Sequence, residues 1–591
     1  MTDGLTQVPV FPQEYHTLES RVSHRNVPEV IDGEELRGDG AASEKAVSEK
    51  AVSEKAESVS SSDSEPFYSL KPTHRIHRGL KPRHIQLIGI GGTIGTALFV
   101  QIASVLNKGG PGSLFIAFTG WCLPVICLTF TTAEMVTQYP LPSPFTRLAG
   151  RFFDEAMEVA SSWNFFILEA TLVPFEITSV TYVIEYWRSD FSPWMVILPQ
   201  VVLYIIINSM CPVRWYGEVE FWLSIFKVVL IVGLLLFTFV TMVGGNPLND
   251  AYGFRYWRDP GSFSEYLFTG HLGRFLGFAS CFSQASYTIA GPDYVSMAAG
   301  EAANPRRVLP KAYKGVLWRL SIFFMLGTLA MGIVCASDDP ELVAALTGGD
   351  SGASGSPYVI AMERLQIPVL PHIVNVGLIV SAFSAGNSYF FCASRTLYAM
   401  ALRGHAPKVF RLCLPNGVPI IASVLVVAFA MLSFLQLSGS ANTVLSWIVS
   451  LGTPAELANY ALMSATYVRF FFAMKAQGVD RSRLPFRSWF QPYQAYVSLF
   501  ATFCMTWLAG WAVFVADNWS TTTFVLSYVI IPFDVAVYIV WKLWKRPPMK
   551  RLSEIDLHSG LEEVDLHEQE CQYDPPKNLL DRVFRVIIGD T

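Results

Sequence analysis

Apolar residues run through this chain in long blocks rather than in strict alternation. From residue 84 onward, stretches of roughly 20 or more residues with few charges follow one another, each long enough for a helix to cross a hydrocarbon core. Twelve such spans are predicted, at 84–106, 113–139, 158–187, 192–210, 216–243, 274–298, 312–335, 367–394, 417–437, 442–472, 494–516 and 522–544. The pattern predicts an all-α polytopic membrane protein. Its parts are an N-terminal tail over 1–75, a twelve-span body over 76–545 and a C-terminal tail over 546–591. Spans 3 and 10 are long enough to tilt.

Two spans carry residues that oppose a helix. Span 1 reads HIQLIGIGGTIGTALFV, with Gly89, Gly91, Gly92 and Gly95 and two threonines among the apolar residues. Each such glycine costs a helix interior about 1 kcal/mol relative to alanine. Span 6 contains SQASYTIAGPDYVSMAAGE, where Gly291-Pro292 interrupts the apolar run and Asp293 follows. Proline removes an amide donor and clashes with the preceding turn, so a simple kink is one reading. The two interruptions, however, open matched blocks of five spans. Such pairs point to an inverted repeat with a central site. Unwound backbone at that depth is tolerated only where it lines a cavity or meets a ligand. Freed amides at a half-helix N-terminus attract a carboxylate. Freed carbonyls attract an ammonium, and a zwitterionic amino acid presents both.

Basic residues fix an orientation. Counted near the spans, one side holds roughly 26 lysines and arginines and the other about five, which predicts cytoplasmic N and C termini. A sequon, Asn518-Trp-Ser, falls in a loop on the opposite side that is too short to favour glycosylation.

Composition agrees with a membrane protein. The chain is 51% hydrophobic and 15% charged over 591 residues, too apolar for a soluble protein of that size. A net charge of −5 argues against a nucleic-acid partner. The nine cysteines are scattered, most of them in apolar runs, and read as small buried hydrophobes rather than disulfides or a zinc site. No nucleotide-binding loop, metal cluster or nucleophile motif points to an enzyme, and no cofactor is implied. The first ~65 residues are polar, with an SEKAV-type repeat from Ser43 to Glu57, and cannot bury enough apolar area to fold. Lys45, Lys50 and Lys55 there read as modification sites or as a solvated tail. The basic run KRPPMKR can rest on an anionic leaflet, and DRVFRVIIGD can form a short amphipathic helix. The tails suit trafficking or ubiquitination machinery better than chemistry.

Several residues combine into a resemblance. GGTIGTALF in span 1, the AGE-ANPR end of span 6 and the SRTLYAMAL-GHAPK loop after span 8 resemble the fungal amino-acid permeases of the amino acid–polyamine–organocation superfamily. WNFFILEATLVPFEI, YGEVEFWLSIFKVVL and LPFRSWFQPY extend the likeness over about 75–550. SAFSAGNSYFFCASR, SPYVIAM and LPFRSW are most similar to a broad-specificity subgroup associated with carnitine and polyamine uptake. The resemblance implies a LeuT-like fold of two inverted five-helix repeats plus two extra helices, and proton-coupled import at the plasma membrane. Most relatives read Gly-Thr-Glu at the span 6 break. Gly291-Pro292-Asp293 departs from that and weighs against ordinary α-amino-acid specificity.

The candidate site follows. The backbone of Gly92, Thr93, Ile94, Gly95 and Thr96 is expected to hold a substrate carboxylate. The span 6 break, with Tyr287, Ala290, Gly291 and Asp293, is expected to hold an amine. Glu176 in span 3 matches the family's span 3 acid and is expected to contact substrate or proton, or to tie span 3 to a neighbour. Glu169, seven residues earlier, shares its helix face. Lys227 lies about 17 Å along span 5. It reads either as a surrogate for a coupling cation, as the resemblance implies, or as a fixed ion pair with Asp293 or Glu176. Glu134, Glu218 and Glu220 read as gate residues for loop arginines such as Arg147 or Arg214, or as solvated helix ends. Glu456 lies beside a third Gly/Pro stretch. Asp534 is expected at a helix interface. Ser384 and Asn387 read as close-packing or site residues. Phe175, Phe282 and Tyr287 read as caps or as core. The functional expectation is an amino-acid importer using protons. Its alternatives are a carnitine or polyamine permease and a nutrient sensor with little transport.

Overall fold

The computed structural model describes residues 82–570, apart from 142, 189, 212, 290, 303, 348–355, 416, 439–440 and 516–517. The N-terminal repeat with Lys45, Lys50 and Lys55, the segment DRVFRVIIGD and Ala290 lie outside the described residues. Every regular element described is helical. In chain order these are α1 (Pro82–Gly91), α2 (Ile102–Gln138), α3 (Pro144–Phe152), α4 (Glu155–Ile184), α5 (Trp194–Ile205) and α6 (Val213–Met242). There follow α7 (Gly270–Thr288), α8 (Asp293–Ala298), α9 (Pro305–Arg319), α10 (Gly327–Val334), α11 (Pro340–Thr347) and α12 (Pro357–Arg364). The last are α13 (Leu370–Leu402), α14 (Ile420–Ala430), α15 (Ala441–Ala476), α16 (Tyr493–Leu508), α17 (Thr521–Tyr528), α18 (Ile530–Lys545) and α19 (Leu561–Glu570).

Helices lie under all twelve predicted spans, but among the described residues six are long and apolar enough to cross a membrane as single rods, or seven if α17 and α18, bent by 41°, count as one. The shortfall has local causes. Span 1 and span 6 break where their glycines and proline lie. α15 is long enough at 36 residues but less apolar, with Pro454, Glu456 and Asn459 in its middle. Spans 1 and 2 meet more tightly than the sequence suggests. Ile102–Gln138 runs on except at Gly110, whose φ of 76° turns the chain in one residue. Only glycine holds that conformation without strain. The turn is stitched to the loop before α7, since Gly112 N–H donates to Ser262 O at 2.8 Å and Ser264 N–H to Gly109 O at 3.0 Å. Just below, the Cys281 thiol of α7 donates to Val105 O at 3.3 Å.

Burial separates the centre from the rim. α4 is 83% buried over its apolar stretch and packs most extensively on α13, and also on α15. α6 is 28% buried and turns Trp222, Phe226, Val229, Leu236 and Phe239 outward. A face that apolar is stable against lipid, not water. The halves of the broken spans pair crosswise: α1 packs on α8, and the α2 helix, from Ile102 onward, packs on α7.

At one end of the body lies a strap. Residues 547–560 leave α18 without regular structure, cross that end and lead into α19. Lys550 N–H donates to Phe153 O and Lys550 Nζ to Gly150 O at 3.0 Å. Gln477 Nε2 donates to Leu552 O and Ile555 O, and Tyr139 Oη donates to Leu557 O at 2.8 Å. Ile555, Leu557 and Val564 are buried, and Arg306 of α9 pairs with Asp565 and Glu568 of α19. Lys550 of the basic run is therefore used within the protein. Beside the strap, His405 faces Glu155 at 3.3 Å and Glu158 at 3.7 Å. Burial first, then the positive charge of Arg403, hold His405 below its ordinary pKa.

Candidate functional site

The first interruption is built around one carboxylate. α1 stops at Gly91, residues 92–95 leave the helix, and a short turn restarts at Thr96. Glu176 reaches in from α4 and accepts from Thr96 Oγ1 at 2.8 Å and from Thr96 N–H at 3.3 Å. Glycine is required for this approach. A Cβ on Gly95 would stand 2.0 Å from Glu176 Oε1, and one on Gly92 would stand 2.6 Å from the Tyr294 ring. The carbonyls freed by unwinding also find partners. Ser381 Oγ donates to Ile94 O at 3.2 Å, and Gly89 O accepts from Thr93 Oγ1 and from Arg319 Nη1.

The second interruption is built around a tyrosine. α7 ends at Thr288 and α8 begins at Asp293. Gly291 N–H donates to Tyr460 Oη at 2.6 Å. Tyr460 Oη donates to Glu456 Oε1 at 2.7 Å, with Asp293 Oδ1 3.5 Å away. Arg319 from α9 faces Asp293 as its opposite charge. One arginine thus serves both breaks, donating to the Gly89 carbonyl of the first and acting through its charge on the acid of the second.

Lys227 is fully buried on α6, with Glu220 and Glu176 as its opposite charges. Of the two acids expected near it, Glu176 is one whose charge acts on Lys227, whereas Asp293 has Arg319 as its opposite charge. Glu220 is not a solvated helix end. It is fully buried and accepts from Ser384 Oγ at 2.5 Å and Asn387 Nδ2 at 3.2 Å. One helical register places it toward α13 rather than toward a loop, and Ser384 and Asn387 thereby become its ligands. Asn208 Nδ2 donates to Asn387 Oδ1 at 2.6 Å and extends the network.

The other expected gates also resolve differently. Glu134 receives a two-pronged bond from Arg481, at 2.9 Å on each oxygen, and a further bond from Ser488 N–H. Its partner is a loop arginine, but one between α15 and α16. Arg147 faces Glu158 instead, and the Arg214 side chain lies outside the described residues. Glu218 meets His84 Nε2 at 3.2 Å, tying α6 to α1. Among the aromatics, Phe175 and Tyr287 meet edge to face at 5.9 Å, and Tyr294 lies 5.9 Å from Tyr389. Phe282 stands apart, edge-on to Trp121 at 5.4 Å.

Sequence reasoning missed Arg319 and Tyr460. Arg319 was visible as an arginine inside predicted span 7, and Tyr460 lies four residues after Glu456 on the same helix face. Together the residues offer amides and hydroxyls to a carboxylate at one break and carboxylates to a cation at the other.

The amino acid permease family model matches residues 84–554, a range that holds both breaks and every residue named for them. The chain is 46% identical over 506 residues to the general amino acid permease AGP2 of Saccharomyces cerevisiae, covering 84% of each. It is 36% identical over 512 residues to a proline-specific permease of Emericella nidulans, 86% of this chain and 92% of that one. It is 34% identical over 500 residues to the dicarboxylic amino acid permease of Saccharomyces cerevisiae, 84% of this chain and 82% of that one. With its helices, its lipid-suited faces and these matches, the chain belongs to the amino acid permeases, among the fungal members of the amino acid–polyamine–organocation superfamily.

Proposed function

We propose that this protein is a plasma-membrane permease that imports amino acids together with protons by alternating access. In this reading it crosses the membrane twelve times as two inverted five-helix repeats plus two further helices, with both termini in the cytoplasm. The crosswise pairing of the half-helices supports the repeat, and the charge asymmetry of the loops supports the orientation. The observation that carries the reading is the carboxylate of Glu176 seated on the freed Thr96 amide. That backbone end is suited to the group that every amino acid presents. The substrate carboxylate is assigned to the amides of Gly92–Thr96, joining or replacing Glu176 there. Its amine is assigned to the Gly291 break beside Asp293, with Tyr287 above. Lys227, held between Glu176 and Glu220, is assigned the place of a coupling cation, so that protonation of Glu176 alters the hold on span 1.

A second reading keeps transport and changes the substrate to carnitine or a polyamine. It is favoured by Asp293 and Glu456 converging on Tyr460 with Arg319 as their nearby cation. The test is expression in yeast lacking its own permeases, with uptake of labelled amino acids, carnitine and spermidine measured at pH 5 and pH 7. Amino-acid uptake that is greater at pH 5 and lost in Lys227→Ala and Asp293→Ala, with surface levels intact, supports the first reading. Carnitine or spermidine uptake alone selects the second. No uptake with the protein at the surface favours a nutrient sensor.

A further inference from the structure

Among the described residues four acids lie buried near the two breaks, and three of them are satisfied. Glu176 accepts two bonds from Thr96 and faces Lys227. Asp293 faces Arg319 and stands near the Tyr460 hydroxyl. Glu456 accepts from that hydroxyl at 2.7 Å. Glu169 is the exception. It is fully buried on α4, and both of its carboxyl oxygens are sealed from solvent with no hydrogen-bond partner among the described residues. Its charged neighbours are Asp293 from α8 and Glu456 from α15, both of which repel a second negative charge. Tyr294 of α8 lies close enough to polarise it without completing a hydrogen bond, and Tyr389 of α13 faces it as well. Arg319 donates to the Gly89 carbonyl and has Asp293 as its opposite charge.

A buried carboxylate with neither donor nor cation costs several kcal/mol in its charged form. Its neutral acid costs far less. Such a group takes on charge only when a cation or water reaches it. The sealed oxygens leave room for a proton and none for an ammonium group. Glu169 also lies about 10 Å along α4 from Glu176, seven residues at 1.5 Å each, and its charged neighbours belong to the second break and to α15 rather than to the first break.

We propose that Glu169 carries the transported proton, holding it while the site is closed and releasing it when movement of α8 lets water in. An O–H bond forms on a Glu169 oxygen with a proton from water on one side, and breaks to water on the other, with no change of redox state. Repulsion from Asp293 and Glu456 holds the proton on Glu169, so release waits until hydration has supplied the donors that Glu169 lacks. This inference rests on the symport reading above.

The test uses the full-length protein in liposomes and each of labelled proline, lysine and aspartate that the wild type takes up. Two readouts separate the roles: exchange against internal unlabelled amino acid, and accumulation driven by an acid exterior, where one pH unit supports about tenfold accumulation for one proton per substrate. Glu169→Gln is expected to keep exchange within about twofold and to lose accumulation, because exchange needs no net proton movement. Glu169→Asp is expected to restore accumulation with a displaced pH profile. Accumulation by Glu169→Gln equal to wild type overturns the inference and leaves the symport reading standing. Equal loss of exchange and accumulation in both variants overturns it in favour of a packing role. A defect confined to lysine, with proline still accumulated, overturns it in favour of an ammonium subsite. A wild type that exchanges but does not respond to the pH gradient overturns both.

Discussion

Replacing Gly95 by alanine tests whether the first interruption is shaped by Glu176. The added Cβ would stand 2.0 Å from Glu176 Oε1, about 1.4 Å closer than ordinary contact at 3.4 Å. Ala385 on α13 stands behind at 3.2 Å, so the alanine cannot simply swing aside. The carboxylate must withdraw, which breaks its bonds from Thr96 N–H and Oγ1. Hydrogen bonds to a charged group are worth about 1.5–3 kcal/mol each, so losing both costs roughly 3–6 kcal/mol. Uptake by Gly95→Ala should fall at least ~100-fold at equal surface level, at 1.4 kcal/mol per factor of ten. Glu176→Asp retracts the acid by about one C–C bond, ~1.5 Å, which is nearly the whole overlap. The double variant should therefore transport better than Gly95→Ala alone, although Glu176→Asp by itself is expected to impair transport. The assay is initial-rate uptake in yeast lacking its own permeases, with a fluorescent tag reporting surface protein. Full activity in Gly95→Ala, or a double variant no better than the single one, would refute the reasoning.

Three further outcomes are expected. Tyr460→Phe removes the acceptor of the Gly291 amide and the donor to Glu456, and a buried group left unpaired costs ~1–3 kcal/mol; uptake should fall about tenfold, and unchanged uptake would show that the second break holds without it. His405 binds protons less readily folded than unfolded, so its contribution to stability is present above pH 6.5 and is lost as pH falls below that value. Replacing it by asparagine should shrink the loss of stability between pH 7.5 and pH 5 by up to about 2 kcal/mol, read as a smaller drop in apparent Tm in detergent, and an identical drop would contradict this. Replacing Ile555 and Leu557 by alanine removes apolar burial worth roughly 4 kcal/mol or more. Amide hydrogen exchange over 550–557 should then quicken at least ~100-fold, while unchanged exchange would mean that the backbone bonds alone hold the strap.

The helix breaks were legible because glycine and proline act locally: Gly92, Gly95 and Gly291-Pro292 oppose a helix whatever surrounds them. Intramembrane charges were legible for a similar reason, since Glu176 and Lys227 are conspicuous in apolar runs. Partner choice was not. Glu220 and Glu218 are two residues apart at the start of α6, and two residues turn a helix by more than half a circle. One therefore meets α13 and the other His84, a difference that depends on which neighbour packs there. The bond between Arg481 and Glu134 joins positions 347 residues apart, beyond any local signal. The strap was hidden because Ile555, Leu557 and Val564 are isolated among polar residues, and only the grooves that receive them give them meaning.

The turn at Gly110 has a mechanical consequence. One residue separates the end of the first interrupted span from the next, and backbone bonds clamp that corner to the loop leading into α7. The later half of the first span and the earlier half of the sixth cannot slide past each other without breaking those bonds. They form a single lever arm, so torque applied at either interruption is delivered to the other. Rotation of the pair must also drag the part of α2 beyond Gly110, which leaves the first span no independent stroke: whatever tilts it tilts the second span too.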